Sequence, residues 1–210
     1  MIALIAATER EAGPLLTRLG AVEIQRSFFP TWRAVVTQSH KEIRLVVSGV
    51  GKVAAAAATA NLLTQTDVNW LINFGACGVL VDRGDLKPGT LCQAVQAVEG
   101  DHLGMGDRPV APVDCHPLER TGLTPVNLVT VDRPVFDIEW RAGLAASGQV
   151  VDMEGTAVAR TAARFGVPAT LIKGITDTAE SGDRQRLQAH LDRVAALLTG
   201  ELLDILQSEI

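Results

Sequence analysis

The sequence predicts an α/β protein, one domain over residues 1–210, built as three α/β/α layers around a central mixed, twisted sheet. Three observations predict it. Short, mainly apolar runs, among them Met1–Ala7 and Ala169–Ile175, have the length of strands and the composition of strands buried on both faces. Helical patterns that stop at glycine alternate with these runs, as in βα units. Acidic residues sit just where several runs end, and in an open α/β sheet the carboxyl ends of the strands are where ligands bind.

The elements follow in order. Met1–Ala7 is a first strand: it lacks a basic leading segment and runs straight into Glu9, which excludes a signal peptide. Leu15, Leu16 and Leu19 then recur at helical spacing until Gly20, and Thr8 with Glu11 fits a capping box at the start of that helix. Val22–Ser27, Thr31–Ser39 and Glu42–Ser48 read as three strands of an antiparallel or mixed group. Ser48-Gly49-Val50-Gly51-Lys52 leads into the alanine-rich helix from Val53, a strand–turn–helix that suits an anion or a ribose. It is neither a P-loop nor a dinucleotide fingerprint, because the glycine spacing is wrong and Val53 and Ala54 stand where a hydroxyl and a glycine are needed. A plain tight turn is the alternative.

Val68–Phe74 is a strand ending in Asn73-Phe74-Gly75-Ala76-Cys77-Gly78, and Thr90–Val98 another. Gly100–Pro125 is proline-dense and irregular, a lid, an oligomer contact or a mobile loop; its Asp101–His102 pair reads as solvated. Regular alternation returns with a strand at Val126–Val131, a short helix at Asp137–Ala146, a strand at Gln149–Glu154 and a helix at Gly155–Phe165 closed by Gly166 and Pro168. Ala169–Ile175 is the last strand, with Asp177 just beyond it. Asp183 is placed to cap a final helix whose stripe runs through Leu187, Leu191, Val194, Ala195, Leu198, Leu202 and Leu206.

Composition removes several function classes. The chain is 47% apolar and 20% charged with a net charge of −5, and it carries no basic stripe, so nucleic acid is not expected as a partner. No apolar run approaches the roughly 18 residues of a membrane span. Three cysteines without CxxC spacing predict reduced thiols, a cytoplasmic location, and neither metal nor cofactor. Cys77 reads as a packing residue, since no nearby histidine is offered to activate it. His40 and His190 lie on polar stretches and carry no expectation.

The strand ends collect Glu11, the Ser48–Lys52 turn, Asn73, Met153-Glu154 and Asp177. Carboxylates without a metal cluster or an activated serine suit cleavage through an oxocarbenium-like sugar cation. One acid protonates the leaving group, one carboxylate activates the nucleophile, and another holds sugar hydroxyls.

Four blocks carry a resemblance: Ser48–Ala54, Asn73–Gly78, Val151-Asp152-Met153-Glu154-Gly155-Thr156-Ala157 and Ile175-Thr176-Asp177. In that order they resemble the nucleoside phosphorylase/nucleosidase superfamily, most nearly its methylthioadenosine/S-adenosylhomocysteine nucleosidase branch. The resemblance implies a nucleoside phosphorylase-like fold and a small-molecule purine nucleoside as partner. It also implies a homo-oligomer, a dimer or higher, with a neighbour closing the sugar's 5′ end. Asp177 matches the acid that serves the purine leaving group at N7, Glu11 the glutamate that activates water, and Glu154 the residue that binds ribose hydroxyls, with Met153 packed on the sugar. Val50 and Gly51, Ala76, Cys77 and Gly78, and Thr176 fall in the substrate-binding blocks, and Val135 lies where the family's backbone reads the base edge. Lys173 stands where nucleosidases often carry arginine and is expected on the Glu11 side of the site.

Hydrolysis is favoured over phosphorolysis, because phosphate must be met by cations. Asn73 stands where related phosphorylases carry arginine, and the Glu11 carboxylate would repel phosphate. Ala76 departs from the serine usual in both groups, and Arg10 keeps phosphorolysis open. The 5′ substituent is unassigned. Thr8 and Val50 occupy early pocket positions, and Arg186-Leu187-Gln188 stands in the last helix where a phenylalanine is usual, so futalosine hydrolase is a second relative to consider. A non-catalytic nucleoside-binding relative is the reading from another class; retention of Glu11, Glu154 and Asp177 together opposes it, since unpaired buried acids cost stability.

Overall fold

Strand β1 (Ile2–Ala6) sets the layering, because its side chains divide between two cores. Ile2, Leu4 and Ala6 pack with Ala12 and Leu15 of helix α1 (Glu9–Arg18) and with Val194, Leu198 and Leu202 of helix α5 (Arg184–Ser208). Ala3 and Ile5 face the other way, into a core shared with Ala55, Ala58 and Leu62 of α2 (Lys52–Gln65) and Val158, Ala159 and Ala162 of α4 (Gly155–Arg164). Successive strand residues point to opposite faces, so a run without polar residues is what a sheet covered on both sides requires. The computed structural model describes residues 1–36, 40–104, 110–119, 122–177 and 184–208, with side chains for all of these except 184–188. The capping role expected of Asp183, and the substitutions noted at 186–188, lie outside that description.

The remaining strands are β2 (Val22–Gln25), β3 (Thr31–Val35), β4 (Glu42–Val47), β5 (Trp70–Val79), β6 (Leu91–Glu99), β7 (Val113–Asp114), β8 (Thr124–Thr130), β9 (Val150–Asp152) and β10 (Ala169–Asp177). Helix α3 (Ile138–Leu144) is capped by the Asp137 side chain, which accepts from the Trp140 N–H. The ten strands of the described residues join one mixed sheet. One wing is open: β5 and β4 flank β1 in parallel, and β3 and β2 extend it antiparallel. The other part closes on itself, because β10 pairs with both β5 and β6 while β6, β8, β9 and β5 are linked in succession. The sequence pointed to an open sheet; the closure of five strands into a ring is a feature it did not reveal.

Strand β5 makes the closure possible by its length. Trp70–Asn73 pairs with β1 and Gly78 and Val79 pair with β9 along one edge, while Leu71–Gly78 pairs with β10 along the other, so one strand joins the wing to the ring. The predicted end at Phe74 is therefore corrected: the glycines after it do not stop the strand but continue it. Asn73 is moved accordingly from a strand end to the interior, where its Nδ2 donates to the Ile5 carbonyl at 3.1 Å and its side chain is buried. Of the predicted strand over Thr31–Ser39, Thr31–Val35 forms β3, and residues 37–39 lie outside the described residues. Within the irregular 100–125 stretch, β7 pairs antiparallel with β6. Among the described residues no helix is long and apolar enough to cross a membrane.

Helix α5 seats on β10 at Gly174. A Cβ there would lie 2.3 Å from Cγ1 of Val194, a stiff, buried, β-branched side chain. We therefore expect Gly174→Ala to lower stability by about 1–3 kcal/mol, as overpacking of a filled core does. Chemical denaturation at neutral pH checks this, and an unchanged midpoint would contradict the packing described.

Candidate active site

A cavity of about 470 Å³ opens beyond the carboxyl ends of β1, β8, β9 and β10 and along the second half of β5. Four carboxyl side chains line it: Glu11, Asp152, Glu154 and Asp177. Val50, Ala76, Cys77, Gly78, Val135, Met153 and Thr176 line it too, so every substrate-binding residue named from the sequence except Gly51 reaches the cavity wall. Among the described residues no group of three or more His, Cys, Asp or Glu side chains is arranged to hold a metal ion.

Glu11 is fixed by the helix it begins. Its Oε2 accepts from the Thr8 N–H at 3.0 Å and the Thr8 hydroxyl at 2.8 Å, while the Glu11 N–H donates to Thr8 Oγ1 at 3.3 Å. That is the capping box predicted from Thr8 and Glu11. The second oxygen, Oε1, accepts from the Ala76 N–H at 2.9 Å. Its approach to β5 depends on Gly75, where a Cβ would come within 2.7 Å of Oε1. Helix start and strand therefore hold the same carboxylate.

Glu154 is buried at the start of α4, and its Oε1 accepts from the Gly51 N–H at 2.8 Å. Gly51 has φ 100°, a left-handed conformation suited to glycine, so the turn points its N–H at Glu154 and not at the cavity. The next N–H, of Lys52, donates to Asp132 Oδ1 at 3.2 Å, and Lys52 Nζ pairs with Asp101 at 2.5 Å, Glu99 at 3.3 Å and Asp132 at 3.4 Å. The anion cradle expected of the Ser48–Lys52 turn is thus corrected. The Gly51 and Lys52 N–H groups are taken by the chain's own carboxylates and those of Ser48 and Gly49 by the Ala6 and Ala7 carbonyls, and the turn serves the cavity by holding Glu154 and presenting Val50. Asp101 is paired with Lys52, not with His102, which is exposed.

Beneath Glu154 lies an ion pair that the sequence did not predict. Lys173 Nζ is 2.7 Å from Asp152 Oδ2, with both side chains shut off from solvent. Asp152 also accepts from the Thr130 hydroxyl at 2.6 Å and the Gly155 N–H at 2.8 Å, so it caps α4 in place of Glu154. Lys173 was expected on the Glu11 side; the correction is that β10 directs its ammonium to Asp152. Burial works against the charge of Lys173, yet Asp152, Glu154 and Glu11 together hold its pKa above the ordinary lysine value. Burial first, then Asp152 and Glu11, push Glu154 up to about 7 against the pull of Lys173 and the Gly51 N–H.

Asp177 is the last residue of β10, not a residue beyond it. Burial raises its pKa, and Arg141, Thr176 and His190 pull it down without cancelling that effect. The Thr176 hydroxyl donates to Asp177 Oδ1 and to the Cys77 carbonyl, both at 3.2 Å. His190 Nδ1 lies 2.5 Å from the Thr176 carbonyl, so this histidine ties α5 to the strand end and does have a structural task. Gly78 leaves the room that Asp177 fills, since a Cβ there would be 3.0 Å from Oδ1. Cys77 is buried, and burial pushes its thiol well above the ordinary range, as a packing residue requires.

Sequence reasoning missed Asp152, Thr130, Arg141 and the aromatic Phe136 at the cavity edge. Asp152 was visible as an acid closing an apolar run directly before Met153-Glu154. Arg141 was visible as a basic residue on the inward stripe of the short helix α3. Arg10 and Arg133, the two arginines on the cavity wall, are both engaged. Arg10 meets Asp192 through Nε at 2.7 Å and Nη2 at 3.0 Å, and the Arg133 guanidinium stacks 4.1 Å from the Trp140 ring centroid.

This geometry can be set beside known proteins. The model of the phosphorylase superfamily matches residues 1–146 and 126–207. The chain belongs to the phosphorylase superfamily. Within that superfamily it is 26% identical to the 5′-methylthioadenosine/S-adenosylhomocysteine nucleosidase of Staphylococcus aureus, across 100% of both chains. Its fold matches the native futalosine hydrolase of Helicobacter pylori with a TM-score of 0.86 at 23% identity, covering 100% of this chain and 97% of that one. The same TM-score and identity relate it to a small-molecule complex of the Helicobacter pylori 5′-methylthioadenosine/S-adenosyl homocysteine nucleosidase, with 100% and 98% covered. The nucleoside phosphorylase-like fold expected from the four blocks is therefore the fold of this superfamily member.

The raised pKa of Glu154 has a consequence for stability. A carboxyl held at about 7 in the folded chain and near 4.5 when unfolded favours folding below that window, and the benefit is lost as pH rises through it. Relative to Glu154→Gln, the wild-type chain should lose on the order of 1–3 kcal/mol between the two values. Denaturant melts at several pH values would show it, and parallel pH curves for the two proteins would refute it.

Proposed function

We propose that this superfamily member hydrolyses the N-glycosidic bond of a 5′-substituted purine nucleoside. The observation that carries the reading is that Glu11, Glu154 and Asp177 line one cavity whose two arginines are already engaged. The C–N bond breaks with its electron pair passing to the base, and Asp177, whose burial favours the protonated acid, delivers a proton to a purine ring nitrogen. Water adds to the oxocarbenium-like sugar carbon and gives up its proton to Glu11. Glu154 accepts hydrogen bonds from ribose hydroxyls, with Met153 against the sugar. Val50, Ala76, Cys77, Gly78, Val135 and Thr176 form the walls around base and sugar, and Gly51 acts at one remove by orienting Glu154.

Water is favoured as nucleophile by charge. A phosphate dianion would enter among four carboxyl side chains, and it would have to draw Arg10 away from a two-point pair with Asp192. Asn73, which entered the comparison with phosphorylases, has no part in this, because it is buried away from the cavity wall. The substituted 5′ carbon is supported by the full-length likeness to a nucleosidase named for methylthioadenosine and adenosylhomocysteine. A homo-oligomer fits the exposed apolar side chains Val50, Val53, Leu103, Phe136 and Ile138, which belong to segments around the cavity and suit a second copy as cover. The reaction needs no cofactor, and a cytoplasmic setting suits the three free cysteines.

Purine release should be measured over adenosine, inosine, methylthioadenosine, adenosylhomocysteine and futalosine, with and without phosphate. Turnover of at least one 5′-substituted substrate without phosphate is expected, and ribose-1-phosphate among the products would overturn hydrolysis. Asp177→Asn should lower kcat by at least about 10²-fold with the fold intact, because it removes the general acid. Glu11→Gln should cripple turnover as well, while losing up to about 1 kcal/mol at the helix start. Rate and stability are to be read on the same preparations.

A further inference from the structure

Arg141 is a buried cation with no role in the reading so far. It projects from α3, is 6% exposed, and places its guanidinium among three segments that bound the cavity. Nη1 donates to the Val79 carbonyl at 2.9 Å, Nη2 donates to the Val135 carbonyl at 3.0 Å, and Nη2 lies 3.5 Å from Asp177 Oδ2. Among the described residues, Asp177 is the carboxylate within ion-pair distance of this guanidinium. A plain structural clamp would need only the two carbonyls. The third contact adds a permanent positive charge beside the group that must release a proton.

We propose that Arg141 is a positioning residue for the acid: it holds Asp177 against the wall formed by Val79 and Val135 and stabilises the carboxylate left when the proton departs. The inference rests on Asp177 acting as the acid in the hydrolysis proposed above. As the C–N bond breaks, the Asp177 proton moves to the base and a full negative charge appears on a largely buried carboxyl. In a site of low polarity such a charge is costly unless a fixed cation already faces it. Arg141 supplies that cation in place, with its planar fork locked by two backbone carbonyls, so nothing must reorganise during the step. Arginine keeps its charge at any working pH, so the effect is constant. The contact at 3.5 Å is loose and leaves room to tighten as charge develops on Asp177.

The groups facing Asp177 from the described elements are Arg141 on α3, His190 on α5 and Cys77 on β5. Burial raises its pKa and Arg141 is the largest opposing influence. Taking Arg141 away should therefore raise it further. Activity that requires protonated Asp177 is lost as pH rises through that pKa, so the alkaline limb should move to higher pH. The acid would also be weaker, so kcat on the plateau should fall.

The test compares wild type, Arg141→Met and Arg141→Lys on whichever nucleoside the wild type cleaves. Arg141→Met should move the alkaline limb of kcat upward by about one pH unit and lower plateau kcat by about tenfold, with a smaller change in KM. Arg141→Lys keeps a charge but loses the fork, so it should hold the limb within a few tenths of a unit of wild type while kcat falls in part. If Arg141→Met lowers only thermal stability and leaves the limb where it was, Arg141 is a structural clamp and the proposal is wrong. Should Arg141→Met fail to fold, an Arg141→Lys limb displaced as far as a unit would overturn it equally. Carbon-13 NMR of aspartate-labelled protein, with Asp177→Asn identifying the resonance, reads the Asp177 titration without any turnover. A raised Asp177 pKa in Arg141→Met supports the coupling even if no nucleoside is cleaved, and an unmoved one refutes it. A wild type that cleaves nothing would count against the hydrolase reading alone.

Discussion

Four carboxyl groups around one cavity crowd one another and lose hydration, and the rest of the site is arranged around that constraint. The molecule answers it locally. Lys173 neutralises Asp152 inside the core, Arg141 faces Asp177, backbone N–H groups of Ala76 and Gly51 serve Glu11 and Glu154, and burial leaves Glu154 poised between its two protonation states. The four acids are therefore not equivalent. Asp152 is paired with a lysine, Glu11 is bound to a helix start and a strand, and Asp177 is held in a mostly buried setting that raises its pKa. Carboxyl groups with environments pushed apart in this way can take different parts in one reaction.

Strand β5 brings these environments to one place. One edge of it leaves β1 at Asn73 and takes up β9 at Gly78 while the other edge pairs with β10, and it passes both acids proposed to move protons. Glycine at 75 lets Glu11 close on the backbone, and glycine at 78 leaves space for Asp177. Glycine inside a strand gives up packing and entropy. Here the vacated volume is filled by the carboxyl side chains of Glu11 and Asp177, and the strand that separates them keeps their spacing.

Most of the fold was legible because its information is local. Apolar runs, glycine stops and the Thr8–Glu11 cap each act within a few residues, and β1, α1, α2 and α4 appear where those patterns place them. The closure of the ring was not legible, since the pairing of β10 with β6 on one side and β5 on the other joins residues far apart in the chain. The site followed the same division. Glu11, Glu154 and Asp177 could be named from their positions at strand ends, and all three line the cavity. What supports them could not be named, because Lys173 meeting Asp152 and Arg141 meeting Asp177 depend on how β9, β10 and α3 are set side by side. The reading of the Ser48–Lys52 turn failed for a related reason: spacing displays donors, but only the folded chain shows that Glu154 and Asp132 have taken them.

The double attachment of Glu11 separates two kinds of selection. Reacting groups commonly oppose stability, so a protein relieved of its activity drifts away from them. At position 11 the same side chain completes a capping box and receives the Ala76 N–H, and a lineage kept only for its fold would preserve it. Asp177 offers no comparable benefit to an inactive chain, being a mostly buried acid whose burial works against its charge. Among descendants of this scaffold, a lost Asp177 beside a retained Glu11 would mark a binding protein that had ceased to turn over.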